Sequence, residues 1–361
     1  MDIANEDDTG TLEDKALKNG GYPLPLESRE RRFREIADLP LSAAGVRQLC
    51  ISKDSSIYVA LKADGVGTKI LVAEAIQVYD TIGIDAVAMT ANDILCVGAK
   101  PILLVDYLAQ NQENPTIHKQ IVGGVQKGCE MAGAILVGGE TATLGNMIHG
   151  YGKGYHFDLA TACFGVFKKD KHTMTGEAIE AGDAIIGLKS SGLHSNGFLW
   201  VRPLLLKEFN ENAPYTIDSK TPSGLTLGEE MLKPTLIYAM PILKMIDEIE
   251  VKAISHITGG AFRIKLLRIA HPGISFVLDS MPEPPWIFEE VRRKAKCSDE
   301  KLYEALNMGI GMCVVVPENE ANKAINISEQ YGFEACKIGY AKKDTESKVY
   351  IPSKQVVFQK I

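Results

Sequence analysis

The sequence predicts an α/β (α+β) protein with two domains, for three reasons. Short apolar, β-forming runs alternate with helical patterns through most of the 361 residues, which is typical of mixed folds. The length exceeds what a single hydrophobic core usually serves. A hydrophilic stretch at 168–183 interrupts the pattern near the middle of the chain. We therefore divide the chain into an acidic, divergent N-terminal segment (1–50), a first domain (51–170) and a second domain (171–361).

The predicted elements follow from hydrophobic spacing. In the first domain, strands are predicted at 57–62, 101–108, 134–138 and 159–167, and helices at 84–95 and 117–129. In the second domain, strands are predicted at 184–188, 253–257, 274–278, 312–316, 334–340 and 348–351. Helices are predicted from Phe198 onwards and at 229–248, 261–270, 286–295 and 318–331.

Composition excludes several classes of protein. The chain is 45% hydrophobic and 24% charged, with a formal net charge of −7, which argues against a general nucleic-acid or anionic-membrane binder. No charge-free run approaches the roughly 20 apolar residues of a membrane helix. The acidic N-terminus lacks the apolar region of a signal peptide, and the seven cysteines form no CxxC pair. These features predict a cytoplasmic protein without nucleic-acid or membrane partners.

The standard phosphate-binding loops are missing. The sequence contains neither G-x-x-x-x-G-K-[ST] nor a G-x-G-x-x-G that opens a helix after a strand. This absence argues against a P-loop kinase and against a Rossmann dehydrogenase.

Carboxylates instead follow apolar strand-forming runs. Asp64, Asp106 and Glu140 each stand where such a run stops. Mg²⁺ takes one or two carboxylates together with phosphate oxygens, so this placement suits a metal shared with a nucleotide.

The segment DGVGTK (64–69) also contains groups that suit phosphate binding. Gly65 and Gly67 would let backbone amides approach a phosphate, while Thr68 and Lys69 add a hydroxyl and a positive charge. The alternative is an ordinary glycine turn that ends in a solvated lysine.

The helical pattern that follows contains three polar residues, Asp85, Asn92 and Asp93. Asp and Asn are unfavourable inside helices, so their presence asks for an explanation. A metal or nucleotide site is one explanation, and helix caps or a solvated face are the other.

Two strand–loop–helix junctions stand out in the second domain. SSGLHSNG places His194, Ser195 and Asn196 just before a helix, and HITGGAF places Thr258 and two glycines in the same way. Helix N-termini bind anions, so the two junctions suggest one pocket for an anionic substrate. Asn196 could equally serve only as an N-cap, and a lone histidine is more often structural than catalytic.

Taken together, the motifs resemble those of the aminoimidazole ribonucleotide (AIR) synthetase family, also called phosphoribosylformylglycinamidine cyclo-ligases. Seven segments occur in the family's order: DGVGTK (64–69), DTIGIDAVAMTANDILCVGAKP (80–101), LVGGETA (136–142), SSGLHSNGF (190–198), LKPTLIY (232–238), ITGGAF (257–262) and NMGIGM (307–312). The resemblance covers about 56–351.

The resemblance implies a two-domain fold and a homodimer in which the N-terminal domains pair their sheets into a barrel. It also implies ATP and Mg²⁺ as cofactors, a small phosphoribosyl substrate, and closure of an imidazole ring at the expense of ATP. The implied metal ligands are Asp64, Asp93 and Glu140. The implied nucleotide contacts are Gly65, Gly67, Thr68, Lys69, Asp85 and Asn92. The implied substrate contacts are Ser191, His194, Asn196, Gly197, Thr258, Gly259 and Gly260. The implied catalytic side chains are His194, for proton transfer or oxygen polarisation, and Lys69.

Some positions depart from the family pattern. Residues 27–50 lack the usual lysine-bearing glycine cluster, GGAF replaces Gly-Gly-Gly-Phe, and Lys265 stands where an asparagine is usual. Two alternatives therefore remain beside the cyclo-ligase. One is a divergent paralogue of the same ATP-binding superfamily that acts on another acceptor, and the other is a non-catalytic, nucleotide-binding regulatory dimer.

Overall fold

The computed structural model describes residues 33–34, 45–50, 56–167, 174 and 176–359. Most of the predicted N-terminal segment and part of the predicted hydrophilic boundary lie outside these residues. The described part of the chain forms two β-sheets, one on each side of that boundary. The exact division at residue 170 stays a prediction.

The first sheet has six strands in the spatial order β1-β2-β3-β6-β4-β5. The strands are β1 Phe33–Arg34, β2 Gly45–Cys50, β3 Ser56–Gly65, β4 Lys100–Gln110, β5 Ile135–Thr143 and β6 Phe157–Phe167. Only the pair β4–β5 is parallel among these strands. Because β3, β4 and β5 all run in one direction, their carboxyl ends meet at the same edge of the sheet.

Helices cover one face of this sheet. They are α1 Ile70–Ile76, α2 Asp80–Leu95 and α3 Pro115–Ala132. Helix α2 lies against β3 and β6, and α3 packs closely on α2. Glycine permits the close packing of these helices, because a Cβ on Gly83 would lie 2.2 Å from the Val125 nitrogen.

The opposite face of the first sheet is apolar and exposed. Five large hydrophobic side chains there are 42–64% exposed: Leu61, Val105, Tyr107, Ile135 and Val137. The pairing register places Leu61 and Ile135 in one cross-strand row, so the exposed side chains form a continuous patch.

The second sheet has seven strands in the order β13-β12-β9-β11-β7-β10-β8. The strands are β7 Ala184–Lys189, β8 Ala253–His256, β9 Ile274–Val277, β10 Ile310–Val316, β11 Ala335–Lys343, β12 Lys348–Ile351 and β13 Val356–Gln359. The helices are α4 Phe198–Leu205, α5 Leu227–Met231, α6 Ala239–Glu248, α7 Trp286–Ala295, α8 Asp299–Ala305 and α9 Ala321–Gln330. None of the helices in the described ranges is long and apolar enough to span a bilayer.

The structure confirms the mixed fold and the predicted strands, but three predicted elements differ. The helix predicted at 261–270 consists mainly of a π-helical turn, Phe262–Leu266. Helices α1 and α8 and strands β1, β2 and β13 have no counterpart among the predicted elements. The helix predicted at 229–248 is two helices, α5 and α6, joined by an irregular segment at 232–238 that contains Pro234. The strand predicted at 134–138 continues to Thr143, because β4 keeps pairing with it through the polar residues. Glu140 therefore lies inside β5 and not beyond its end.

Candidate active site

Three of the sequence motifs meet at one edge of the second sheet. Met312, near the start of β10, pairs with Leu188 of β7 on one side and with His256 of β8 on the other. The SSGLHSNG loop leaves β7 at this level, and the TGG loop (258–260) leaves β8 beside it. Asn307, in the turn before β10, donates hydrogen bonds to the carbonyl oxygens of Gly192 and Leu193. The topology thus joins the predicted substrate loops.

His194 is the most constrained residue of the SSGLHSNG loop. Its ring is fully buried, and its backbone has a φ of +59°. The backbone N–H of Ser191 donates to Nε2 over 3.2 Å, which leaves the proton of the neutral ring on Nδ1, where it has no partner. Burial, together with the charges of His256 and Lys69, lowers the pKa of His194 well below its usual value. His194 is therefore a neutral ring that carries one unsatisfied donor.

Asn196 presents a second unsatisfied donor in this loop. Its Nδ2 is buried and has no hydrogen-bond partner. The residue that caps α4 is Gly197, with a φ of +75°, so Asn196 does not serve as the N-cap. Buried polar groups without partners are rare in proteins, and here two of them occur within three residues of a predicted substrate loop.

The TGG loop leads into a single π-helical turn, Phe262–Leu266. Thr258 is buried, and Gly260 has a φ of +72°. Lys265 follows within this turn, and Arg268 lies three residues later. Neither side chain makes an ion pair or hydrogen bond with any residue that the structure describes. Burial and the charge of Arg268 lower the pKa of Lys265, while the carboxylates of Asp93 and Asp64 act in the opposite direction.

A cluster of three charged side chains of the first domain lies beside these loops. Lys62 Nζ lies 3.2 Å from an oxygen of Asp64 and 3.1 Å from one of Asp93. His256 of β8 also lies 2.9 Å, through Nδ1, from the second oxygen of Asp93. We call Lys62, Asp64 and Asp93 the cleft cluster. It lies on the boundary between the two domains, because Asp93 belongs to α2 and His256 to the second sheet.

Electrostatics keep Lys62 and Asp93 of the cleft cluster ionised. Burial alone would raise the pKa of Asp93, but the hydrogen bond with His256 and the charges of Lys62, His256 and Lys265 together lower it. Burial alone would lower the pKa of Lys62, but Asp93 and Asp64 raise it above its usual value. Both groups are therefore charged at neutral pH.

Asp64 and Asp93 together suit a divalent cation. Their oxygens already converge on one positive charge, the ammonium of Lys62, and Mg²⁺ commonly binds through one or two carboxylates together with phosphate oxygens. Within the described ranges, no third His, Cys, Asp or Glu completes a metal-binding group. The pair thus fits a metal that a nucleotide helps to hold.

Glu140 does not join this pair within one chain. Asp64 lies opposite Thr161, Thr161 opposite Asp106, and Asp106 opposite Gly139, so these four residues share one face of the sheet. Glu140 is the next residue along β5 and pairs with Tyr107 on the exposed apolar face. Its predicted role as a metal ligand stays a prediction.

Lys69 and Asp85 are buried between the domains. Both are 0% exposed, and Lys69 Nζ lies 2.9 Å from both oxygens of Asp85. Lys69 also donates to the carbonyl oxygen of Lys233 over 2.7 Å. Asp85 accepts hydrogen bonds from the backbone N–H and the hydroxyl of Thr235, each over 2.7 Å. These bonds fix the segment between α5 and α6 to the first domain.

Asn92 extends the same contact by two turns of α2. Its Nδ2 donates to the carbonyl oxygen of Leu236 over 2.9 Å, and its Oδ1 accepts from the backbone N–H of Tyr238 over 3.0 Å. Its Nδ2 also lies 3.3 Å from Nε2 of His256. We call Lys69, Asp85 and Asn92 the domain clamp. A nucleotide could contact these residues only if the clamp opened.

The other predicted nucleotide contacts lie at the surface. Gly67, with a φ of +72°, and Thr68 are exposed, and the N–H of Gly65 donates to the carboxylate of Asp64 over 2.9 Å. The predicted nucleotide set is thus divided between an accessible turn and the buried domain clamp.

Lys62 and Arg268 had no place in the sequence-based prediction. A signal for Lys62 existed: residues two apart on a strand share a face, and Lys62 precedes Asp64 by two. For Arg268, the helical spacing from Lys265 gave a weaker signal.

Comparison with protein-family models gives a match over most of the chain. Residues 43–167 match the N-terminal domain of AIR synthase related proteins, and residues 180–352 match the C-terminal domain. The first match contains strands β2 to β6, and the second contains strands β7 to β12.

Curated relatives and solved structures agree with this match. The chain is 44% identical over 305 residues to a phosphoribosylformylglycinamidine cyclo-ligase of Methanocaldococcus jannaschii, covering 84% of this chain and 82% of the relative. It is 42% identical over 289 residues to that of Pyrococcus horikoshii, covering 80% of each. A HypE–HypF complex contains a chain that aligns with a TM-score of 0.60 at 18% identity, covering 97% of this chain and 98% of that one. PurL of T. maritima complexed with ATP aligns with a TM-score of 0.54 at 17% identity, covering 88% of this chain and 45% of that one. The chain belongs to the family of AIR synthase related proteins.

Proposed function

We propose that this protein is a phosphoribosylformylglycinamidine cyclo-ligase, which closes the imidazole ring of aminoimidazole ribonucleotide at the expense of ATP in purine biosynthesis. The observation that carries the proposal is that two of the three predicted metal carboxylates, Asp64 and Asp93, lie beside the edge of the second sheet from which the predicted substrate loops leave. The identity of 44% to a relative of that name, over 84% of the chain, supports it independently.

The reaction needs an activated oxygen and a nearby nitrogen nucleophile. The formyl oxygen of formylglycinamidine ribonucleotide attacks the γ-phosphorus of ATP, and ADP leaves. An amidine nitrogen then bonds to the same carbon, the carbon–oxygen bond breaks, and phosphate and a proton depart. Such catalysis consists mainly of positioning the reactants and neutralising charge.

The first domain would supply the nucleotide side of the cleft. Asp64 and Asp93 would hold Mg²⁺, which neutralises charge on the phosphates when it is bound. The exposed turn with Gly65, Gly67 and Thr68 would contact the phosphates through backbone amides and a hydroxyl. The structure of PurL with ATP supports nucleotide binding to this fold.

The second domain would supply the substrate side. Ser191, Asn196 and Gly197 in one loop, and 258–260 in the other, would contact the phosphoribosyl substrate. Lys265 and Arg268, which form no close ion pair with the described residues, add the positive charge that a phosphorylated substrate requires.

His194 would act as a neutral hydrogen-bond donor. Its low pKa disfavours a protonated ring, so polarisation of the substrate oxygen by Nδ1–H is favoured over transfer of a proton from an imidazolium.

We further propose that the protein is a cytoplasmic homodimer. The exposed apolar face of the first sheet is the surface that a second copy would cover. Its apolar side chains form a continuous patch, whereas exposed hydrophobic side chains that need no partner occur singly. The six cysteines whose side chains the structure describes are free thiols, consistent with a reducing compartment.

The test is to incubate the purified full-length protein with Mg²⁺ and ATP, with and without formylglycinamidine ribonucleotide, and to measure ADP and the aminoimidazole. We expect ADP release that depends on the substrate and equals the aminoimidazole formed. ADP release without aminoimidazole in a screen of other acceptors would indicate a paralogue. Nucleotide binding without any turnover would indicate the regulatory dimer.

A further inference from the structure

Lys62 has an unusual environment for a partly exposed lysine on a β-strand. Its ammonium lies between the two carboxylates proposed to bind Mg²⁺, 3.2 Å from Asp64 and 3.1 Å from Asp93, and its side chain is only 24% exposed. The contact joins β3 to α2 at the mouth of the cleft. A positive charge thus already lies where the two carboxylates converge.

The ammonium of Lys62 forms an ion pair with each of the two carboxylates. The carboxylates gain in turn, since two neighbouring negative charges without a cation repel one another. Asp93 also has His256 beside it, whereas Asp64 has no cation other than Lys62 within 4 Å among the described residues. Among the described residues, Lys62 is therefore the cation that contacts both carboxylates and holds them close together.

We propose that Lys62 is an internal counter-cation that holds Asp64 and Asp93 in place of a divalent metal, and that Mg²⁺ must displace it to bind. This inference rests on the proposed function in one respect, namely that these two carboxylates take the metal. Lys62 then sets the Mg²⁺ concentration at which the cleft becomes loaded.

The physical argument is competition for the same oxygens. Each oxygen that accepts a hydrogen bond from Lys62 is a ligand that Mg²⁺ needs, so the metal binds only the fraction of molecules in which the lysine has withdrawn. The apparent dissociation constant of the metal rises in inverse proportion to that fraction. Removing the ammonium removes the competitor and leaves two carboxylates that need a cation.

The test measures metal binding without turnover. Free Mn²⁺, which takes the same oxygen ligands as Mg²⁺, is titrated against the full-length protein and followed by its electron paramagnetic resonance signal. We expect Lys62→Met to bind Mn²⁺ at least about tenfold more tightly than the unmodified protein. Lys62→Arg, which keeps the charge, should stay within about threefold of the unmodified protein. Unchanged or weaker binding by Lys62→Met would overturn the proposal.

A matched control is available in the second domain. Lys252 also lies between two carboxylates, 3.0 Å from Asp183 and 3.1 Å from Glu180, but away from the cleft. Lys252→Met should not gain a Mn²⁺ site of similar affinity. An equal gain in both variants would show that any freed carboxylate pair binds the ion and would also overturn the proposal.

Thermal unfolding provides a second readout. Without metal, Lys62→Met should melt at a lower temperature than the unmodified protein, and millimolar Mg²⁺ should raise its melting temperature more than that of Lys62→Arg. If Lys62→Met fails to fold, Lys62→Gln, which keeps a hydrogen-bond donor, should show the same direction of change in Mn²⁺ affinity.

The proposal and the proposed function can fail separately. Tight Mn²⁺ binding by Lys62→Met without any aminoimidazole from the unmodified protein would reject the cyclo-ligase alone. Aminoimidazole formation by the unmodified protein, with equal Mn²⁺ affinity in all variants, would reject the role of Lys62 alone.

Discussion

The domain clamp and the cleft cluster both include residues of helix α2, Asp85 and Asn92 in the clamp and Asp93 in the cluster. They consist of similar kinds of residue, yet they differ in how completely the protein satisfies the charges. In the domain clamp, Lys69 and Asp85 are fully buried and bond to each other and to the backbone of the second domain. In the cleft cluster, Asp64 is partly exposed, and the nearby Lys265 and Arg268 form no ion pair within 4 Å among the described residues. Satisfied buried charges hold the domains together, whereas incompletely satisfied charges at a cleft are available to a ligand.

The largest effect on stability should come from breaking the clamp. Asp85→Ala leaves the ammonium of Lys69 buried without its carboxylate. It also removes Oδ1, the one oxygen that accepts hydrogen bonds from both the backbone N–H and the hydroxyl of Thr235. We expect a loss of about 3–5 kcal/mol in the free energy of unfolding, measured by chemical denaturation. The double variant Lys69→Met/Asp85→Leu should lose less, because no unpaired charge remains. A single-variant loss below about 1 kcal/mol would show that the pair does not hold the domains.

In the cleft cluster, the loss of a carboxylate charge should lower the rate of aminoimidazole formation and leave stability nearly unchanged. Asp64→Asn removes a negative charge proposed to bind Mg²⁺, so we expect aminoimidazole formation to fall by about 100-fold or more. The melting temperature and the elution volume in gel filtration should stay close to those of the unmodified protein. Unchanged activity would rule out the metal assignment.

His194 offers a pH-dependent comparison. Its pKa in the folded protein is lowered, so between its folded and unfolded pKa values only the unfolded chain takes up the proton. Stability is therefore fully present above about pH 6.5 and falls as the pH decreases, by up to about 1.4 kcal/mol per pH unit. His194→Gln should flatten this part of the stability profile.

Denaturation curves at pH 7.5, 6.0 and 5.0 measure how steeply the free energy of unfolding changes with pH. His149, an exposed residue of the first domain, provides the control, and His149→Gln should leave the profile as it is. Equal slopes for His194→Gln and the unmodified protein would contradict the neutral, buried ring.

The smallest effect should come from a cation at the edge of the cleft. Lys265→Asn removes a positive charge proposed to attract the substrate phosphate, so we expect the KM for the ribonucleotide to rise by about tenfold. The KM for ATP and the melting temperature should change little. Lys127→Asn, at an exposed position on α3, is the matched control. A larger change in the KM for ATP than for the ribonucleotide would place Lys265 on the nucleotide side.

Local sequence patterns were sufficient for most of the fold. Strands such as Lys348–Ile351 and helices such as Trp286–Ala295 agree with the prediction to the residue, because their hydrophobic spacing is regular and their ends carry turn residues. The segment 232–238 was harder, since its backbone is held by α2 of the other domain and not by its own spacing. Tertiary hydrogen bonds of this kind leave no local pattern.

The sequence predicted which residue types the candidate site contains. It did not predict which of them are accessible to a ligand and which hold the two domains together. The sequence placed Asp64, Asp93 and the two glycine loops near a common ligand, and the fold brings these together. It gave Lys69 and Asn92 the same role as Thr68, because motif membership does not reveal which side chains the second domain buries. Glu140 shows the same difficulty, since the face it occupies depends on the register with β4.

Hydrogen exchange of the full-length protein with and without Mg²⁺ and a non-hydrolysable ATP analogue tests the central contrast most directly. We expect the ligand to protect backbone amides at 64–68 and 257–260, while those at 233–238 stay protected and unchanged because the domain clamp remains closed. Changes confined to 233–238, with none at 64–68, would show that the nucleotide uses the clamp residues and would contradict the account.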